Sequence, residues 1–217
     1  MRAALVVLFV LVAARALPQS VSATDGNIVF IDQNGTRRLL TSSHLDSEPS
    51  LSVDGSHVVF VRRTPGHPID TGIGSVDDNE LWTVPVDRPQ ELRRVLAGHS
   101  GGYNQEKNLV LAGFAVPQSS QDGTKVYFIS TTWVTSAAIH VLNPSTGQTK
   151  LLYAGLDVEV IREGSYKGFL IGTKDPSTAD RGRIVEYWLL DPDGREVRRI
   201  GETKADLARF KTSIKQR

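Results

Sequence analysis

The sequence contains no cysteine among its 217 residues, which excludes disulfides, thiolate nucleophiles and cysteine-ligated metals. It also lacks an excess of either charge, since 25 Lys and Arg face 24 Asp and Glu. Arg2 and Arg15 would leave with an N-terminal leader, and the balance of the remainder then turns slightly negative. A nucleic-acid partner normally demands a strong basic face, and none is expected here. After residue 24 there is almost no helical period, and no apolar run approaches the roughly 20 residues that span a bilayer. Without disulfides, stability has to come from packing.

The N-terminus does carry a short apolar run. Met1-Arg2 is positive, Ala3–Ala14 is uncharged and apolar, and Val21-Ser22-Ala23 supplies small residues at a cleavage position. Charged start, apolar middle and small-residue end are the parts of a secretory signal peptide. Residues 1–23 are therefore expected to be a removable leader and the rest a soluble protein, periplasmic or secreted, with no stable membrane insertion. A retained anchor is the alternative, which Arg15 behind the apolar run favours slightly.

Beyond the leader, short β-rich runs alternate with clusters of Gly, Pro, Asn and Asp, the signal of many short antiparallel strands. Two units recur. One is an acidic residue, Gly, four residues and Phe: Asp54-Gly55 with Phe60, Asp122-Gly123 with Phe128, and Glu163-Gly164 with Phe169. Asp-Gly suits a tight hairpin because glycine accepts positive φ, and the Phe in the second strand is placed to enter the layer between sheets. The other is strand, turn, basic residue and apolar pair. It appears at Ile28–Leu40, Leu81–Leu96, Ile139–Leu152 and Tyr187–Ile200, with Arg37-Arg38, Arg93-Arg94, Lys150 and Arg198-Arg199 opening the return strands.

In chain order this is one isolated hairpin followed by three units of two hairpins, at about 42–98, 110–155 and 156–201. Four antiparallel strands per repeat of roughly 40–50 residues is a β-propeller blade. Pro49-Ser50-Leu51-Ser52-Val53-Asp54-Gly55 and Pro117-Gln118-Ser119-Ser120-Gln121-Asp122-Gly123 resemble the Pro-x-Trp-Ser-Pro-Asp-Gly repeat of TolB-type, WD40-like propellers. Leu51 and Ser119 stand in place of the Trp, Val53 and Gln121 in place of the second Pro, and Val158 replaces the first Pro in the third copy. The resemblance implies an all-β propeller over residues 24–201. It is shared by periplasmic translocation proteins, peptidase propellers and sugar-processing propellers. Six blades of about 43 residues would need roughly 260 residues. A small or open propeller, a truncated copy, or two chains sharing one ring is expected instead, with 202–217 a short basic tail that is helical over Asp206 to Ile214.

Several constellations carry chemistry. Gly98-His99-Ser100-Gly101-Gly102 matches the nucleophile elbow Gly-x-Ser-x-Gly, with Asp122 and His140 following in triad order. The apolar helix that should follow is lacking, so a glycine-rich connection explains the residues as well. His44, Asp46 and Glu48 alternate, and an extended chain would aim all three to one side as donors for a cation or polar ligand. Asp70, Asp77, Asp78 and Glu80 cluster in a loop at 64–80 with a spacing that fits no calcium loop. Trp82, His140 and Trp188 occupy corresponding third-strand places, the histidine reading as a buried core residue. The basic pairs read as protection of the outer edge strands.

The reading these features support is a non-catalytic exported scaffold without a cofactor. It would bind a protein or peptide partner through loops 64–80 and 97–109, with His44, Asp46, Glu48, Asp70, Asp77, Asp78, His99 and Tyr103 as contact residues. Long loops on a rigid scaffold are where binding usually resides. The alternatives are a serine hydrolase using Ser100 and a metal-dependent, carbohydrate-active propeller using His44, Asp46 and Glu48.

Overall fold

A computed structural model describes residues 18–70, 74–76, 78–99, 111–133, 136–174 and 185–215. The described residues form four main antiparallel sheets in sequence order, each from consecutive hairpins, and one small insert. The first has three strands, β1 (Ser20–Thr24), β2 (Asn27–Ile31) and β3 (Arg37–Leu39). The second is ordered β4 (Asp46–Leu51), β5 (His57–Arg63), β8 (Asn79–Pro85) and β9 (Arg93–Ala97). Its middle connection carries a small two-stranded insert, β6 (Ile69–Asp70) and β7 (Ser75–Val76). The third runs β10 (Ala115–Ser119), β11 (Val126–Trp133), β12 (Ser136–Leu142) and β13 (Thr149–Ala154). The fourth runs β14 (Asp157–Val160), β15 (Leu170–Lys174), β16 (Glu186–Leu190) and β17 (Glu196–Gly201), and helix α1 (Lys204–Lys215) follows.

The innermost strands lie side by side, β4 against β10 and β10 against β14, so the sheets are arrayed like blades about an axis. Apolar side chains fill the spaces between them. Ile28 and Phe30 of the first sheet meet Val58, Phe60 and Val84 of the second. Val59, Val61 and Leu81 meet Val126 and Phe128 of the third, together with Phe114 just ahead of β10. Tyr127, Ile139 and Tyr153 meet Val158, Leu170 and Leu190 of the fourth. The outer face of the fourth sheet is covered by α1, whose Phe210 and Ile214 lie on Ile161, Ile171 and Leu189. The helix therefore occupies the position of a next blade, and the residues expected to form a separate tail are part of the same packed fold.

The repeated Ser-x-Asp-Gly has a local cause. Ser52 Oγ donates to Asp54 Oδ1 at 2.6 Å and accepts from the backbone N–H of His57 at 2.9 Å. Ser120 does the same with Asp122 at 2.6 Å and Lys125 N–H at 3.0 Å. Each serine ties the end of the innermost strand across the turn. Hydrogen bonds from Ser52 and then Ser56 pull the Asp54 carboxyl down to about 2.

Three expectations need correcting. The opening hairpin is not isolated: residues 20–23, within the expected leader, and Thr24 after it pair with β2 from Ser20↔Ile31 to Thr24↔Asn27. The two strands are joined by a tight turn with Asp25 and Gly26 both at positive φ, as a type I′ turn requires. The outer arginines are not only edge charges. Arg38 donates to Val86 O at 2.8 Å, Arg93 to Pro144 O at 3.2 Å, and Arg198 lies 5.1 Å from the Phe210 ring centroid. Each fastens its sheet to the next layer.

The third correction concerns the phenylalanines. Phe60 and Phe128 are wholly buried between sheets, but Phe169 packs on the opposite face, among Tyr166, Phe210 and α1. Ile161 N–H pairs with Phe169 O, so this turn is longer than the one where Ser52 N–H pairs with His57 O. An odd shift in strand parity sends a side chain to the other face. Gly172 takes the place equivalent to Phe60 and Phe128. A Cβ there would come within 2.4 Å of Tyr153 Oη, and Tyr153 fills the gap from the neighbouring sheet.

Candidate binding face

Antiparallel pairing sorts the connections to two ends. At one end are the short turns at 32–36, 52–56, 120–125, 143–148 and 191–195. They interlock, since Lys125 Nζ reaches Asp193 at 2.9 Å and Tyr127 Oη donates to Pro192 O at 2.8 Å. A cleft of about 290 Å³ opens there between Asp54, His57, Arg93, Asp122 and Pro144, but both carboxylates are already bound by their own serines. At the other end leave the connections 40–45, 64–78, 98–114 and 175–185. The strands that open the long connections thus end on one face.

The insert β6–β7 projects from this face. Ile69 is buried and closes over Gly98, where a Cβ would lie 2.3 Å from Ile69 Cδ1 and 2.6 Å from Asp78 Oδ1. The first glycine of Gly-x-Ser-x-Gly therefore has a packing reason. His99 is exposed at its side chain, and its backbone exchanges hydrogen bonds with Leu111 at 2.8 and 3.1 Å. This bridge closes the loop at its base and leads into β10. The strand that leads into Gly98, β9, is the edge of an antiparallel sheet, whereas a nucleophile elbow follows a strand of a parallel one. Ser100, Tyr103 and Asp77 lie outside the described residues. Asp70 is exposed at the end of β6, and Glu80 belongs to β8, not to the acidic loop.

His44, Asp46 and Glu48 come from the connection into β4, but they do not converge. His44 has φ +59° and Glu48 φ +50°, so the segment is not extended and its alternation is broken. His44 Nδ1 lies 3.1 Å from both Asn27 Nδ2 and Asp25 O, and its N–H donates to Asn27 Oδ1 at 2.9 Å. Asp46 is buried and accepts two bonds from Arg62, Nε at 2.6 Å and Nη2 at 3.0 Å. Glu48 accepts from the backbone N–H of Val116 on β10. Among the described residues, no three His, Asp or Glu side chains form a group that could hold a metal ion.

Glu48 and Val116 hold equivalent places. Each precedes the motif proline, each has positive φ, and each lies within a bulge of its innermost strand. Proline has no N–H for the ladder and is tolerated at such bulges. A β-branched residue at φ +49° is strained, and the Glu48 carboxylate on its N–H helps hold it. The two bulged strands thus carry rigid, strained backbone along the axis.

A further constellation recurs that sequence reasoning missed. Trp82 Nε1 donates to Glu80 Oε2 at 2.8 Å, Arg94 Nη1 donates to Glu80 Oε1 at 2.6 Å, and Arg62 lies 4.3 Å over the indole. In the fourth sheet Trp188 donates to Glu186 at 2.9 Å, Arg199 pairs with Glu186 at 2.8 Å, and Lys174 lies 5.6 Å from the indole centroid. The readable signal was Glu two residues before each Trp, with the second basic residue of the following pair. The third sheet has Ala138, His140 and Leu151 in these places. His140 is 2 % exposed and stacks on Phe128 with centroids 5.5 Å apart, and burial pushes its imidazole down to about 4.

No family model matches the chain, and no curated protein matches it. Solved structures do. A structure assigned as TolB from Agrobacterium tumefaciens superposes with a TM-score of 0.53 at 16% identity, over 80% of this chain and 55% of that one. The β-propeller domain of the Trilobed protease from Pyrococcus furiosus gives 0.51 at 12%, over 85% and 53%. The fold is a β-propeller. Dipeptidyl peptidase 4 from Porphyromonas gingivalis also matches, with 0.51 at 13% identity, over 89% of this chain and 33% of that one. The chain spans about half the length of the first two and a third of the last. Among the described residues the propeller is open, with one three-stranded and three four-stranded blades.

Proposed function

We propose that this chain is an exported, non-catalytic propeller scaffold that holds a protein or peptide partner on the face where its long connections gather. The observation that carries this reading is the separation of ends. Short bonded turns make one end rigid, and the insert 64–78 and the connection 98–114 leave the other. Preformed blades limit the ordering entropy that binding would cost. Asp70 and His99 fit the contact role best, and Asp77, Asp78 and Tyr103 belong to the same two connections. His44, Asp46 and Glu48 support that face from beneath. Export is supported by the leader pattern and the resemblance to TolB-type proteins. No helix among the described residues is long and apolar enough to cross a membrane.

The test is crosslinking and recovery of partners in the exported fraction by three proteins. These are the native chain, a variant with 65–77 replaced by an Asn-Gly turn, and a control with 144–147 at the opposite end replaced in the same way. A partner recovered by the native chain and the control but lost from the first variant supports the proposal. Equal recovery by all three overturns the assignment of the face. Covalent labelling by an active-serine probe that disappears in Ser100→Ala would establish a hydrolase instead.

A further inference from the structure

We propose that the leader is removed between Ala16 and Leu17, and not after Ala23, so that strand β1 survives maturation. This rests on the export reading above. Two small-residue positions mark the end of the leader pattern: Ala14-Arg15-Ala16 where the apolar run ends, and Val21-Ser22-Ala23 further on. Both satisfy the small-x-small requirement of a cleavage site, so composition alone does not choose between them. The fold chooses, because the second position lies inside β1.

Cleavage after Ala23 would remove four of the five paired residues of β1. Ser20↔Ile31, Val21↔Phe30, Ser22↔Val29 and Ala23↔Ile28 would be lost, leaving only Thr24 opposite Asn27. Val21 packs against the cluster of Ile28, Phe30, Val58 and Phe60, so the core between the first two blades would open. Gln19 would go as well, and its Oε1 occupies the space a Cβ at Gly55 would take, 2.2 Å from that position. The first blade would be reduced to the hairpin of β2 and β3, and an isolated two-stranded hairpin is marginal in water. Cleavage after Ala16 removes none of these contacts. Pro18 and Gln19 then separate the new N-terminal residue from β1. Arg15 takes the middle position of the small-x-small pattern and marks the end of the apolar run, which reconciles a charge that otherwise fits a leader poorly.

The experiment is expression of the full chain with its own leader in an exporting bacterial host, followed by cell fractionation, intact mass and N-terminal sequencing. The expected product outside the cytoplasm begins at Leu17. The variant Ala16→Asp should accumulate as the uncleaved precursor, and Ala23→Asp should be processed like the native chain. An exported product beginning at Thr24, at any other residue of β1, or at Met1 overturns the cleavage assignment while leaving export standing. Full-length chain confined to the cytoplasm overturns export, and this proposal with it. A second measurement needs no export: chains produced directly from Leu17 and from Thr24 are compared by thermal melting. The shorter chain should melt about 5–10 °C lower, and equal melting temperatures would overturn the structural argument.

Discussion

Asp46 and His140 show how differently one buried polar residue can act. The Asp46 side chain is 0% exposed and its partner Arg62 14%, so the pair is bound on both oxygens and shielded from water. Removing one member of such a pair leaves an uncompensated charge, which typically costs about 3–5 kcal/mol. Asp46→Ala should therefore lower stability by about 3 kcal/mol in urea denaturation, and Asp46→Leu with Arg62→Met should recover much of it. His140 is buried neutral. Its folded value of about 4 lies below the ordinary 6.5, so the unfolded chain binds the proton more tightly. The stabilisation is complete above pH 6.5 and lost progressively as pH falls from 6.5 to 4, by about 3 kcal/mol in all. Denaturation midpoints measured across that window should show the fall, and His140→Phe should flatten it.

Within elements, the same sequence unit produced two outcomes. Acid-Gly-x4-Phe buries its ring between blades at Phe60 and Phe128, yet the longer third turn sends Phe169 towards α1. Spacing from the acidic residue was legible, but turn length decides parity, and that depends on which backbone groups pair across it. The helix itself was legible from its composition, and its docking was not. Phe210 seals the fourth blade, so Phe210→Ala should cost about 3 kcal/mol through lost burial and a residual cavity. It should also release the Arg198 contact. Chemical denaturation measures the first, and increased amide exchange along β17 reports the second.

For the molecule as a whole, the two ends of the blade array differ. One is covered by α1. The other is the first blade, which has three strands and carries Leu39 at 57% exposure. Its β1–β2 turn lies at the same end as the long connections, with Asp46 N–H bonded to Gly26 O at 2.8 Å. Its β2–β3 turn repeats the outer turn at Asp191–Arg195. Its three strands therefore correspond to the second, third and fourth of a full blade, and among the described residues it has no innermost strand. Leu39 is exposed on β3, the opposite edge of the same sheet, and exposed edge strands favour pairing between chains. Light scattering over a dilution series should show concentration-dependent association, and Leu39→Lys should shift it to monomer. A native chain that stays monomeric at every concentration would refute this.

Local chemistry was sufficient for the hairpins. Ser-x-Asp-Gly turns, β-branched runs and the recurring basic pair fix strand positions through interactions a few residues apart, and their period was enough to identify blades. The candidate face was legible only as two long acidic and glycine-rich connections. What the tertiary structure alone decided depends on partners distant in sequence. His44 became a partner for Asn27, Asp46 a partner for Arg62, and Glu48 a brace for Val116, so that residues spaced like a binding triad were divided among three separate tasks. Residues 20–23 read on sequence as the end of a leader, and their pairing with β2 is seen only in the fold, because small residues are equally suited to a cleavage site and to an edge strand.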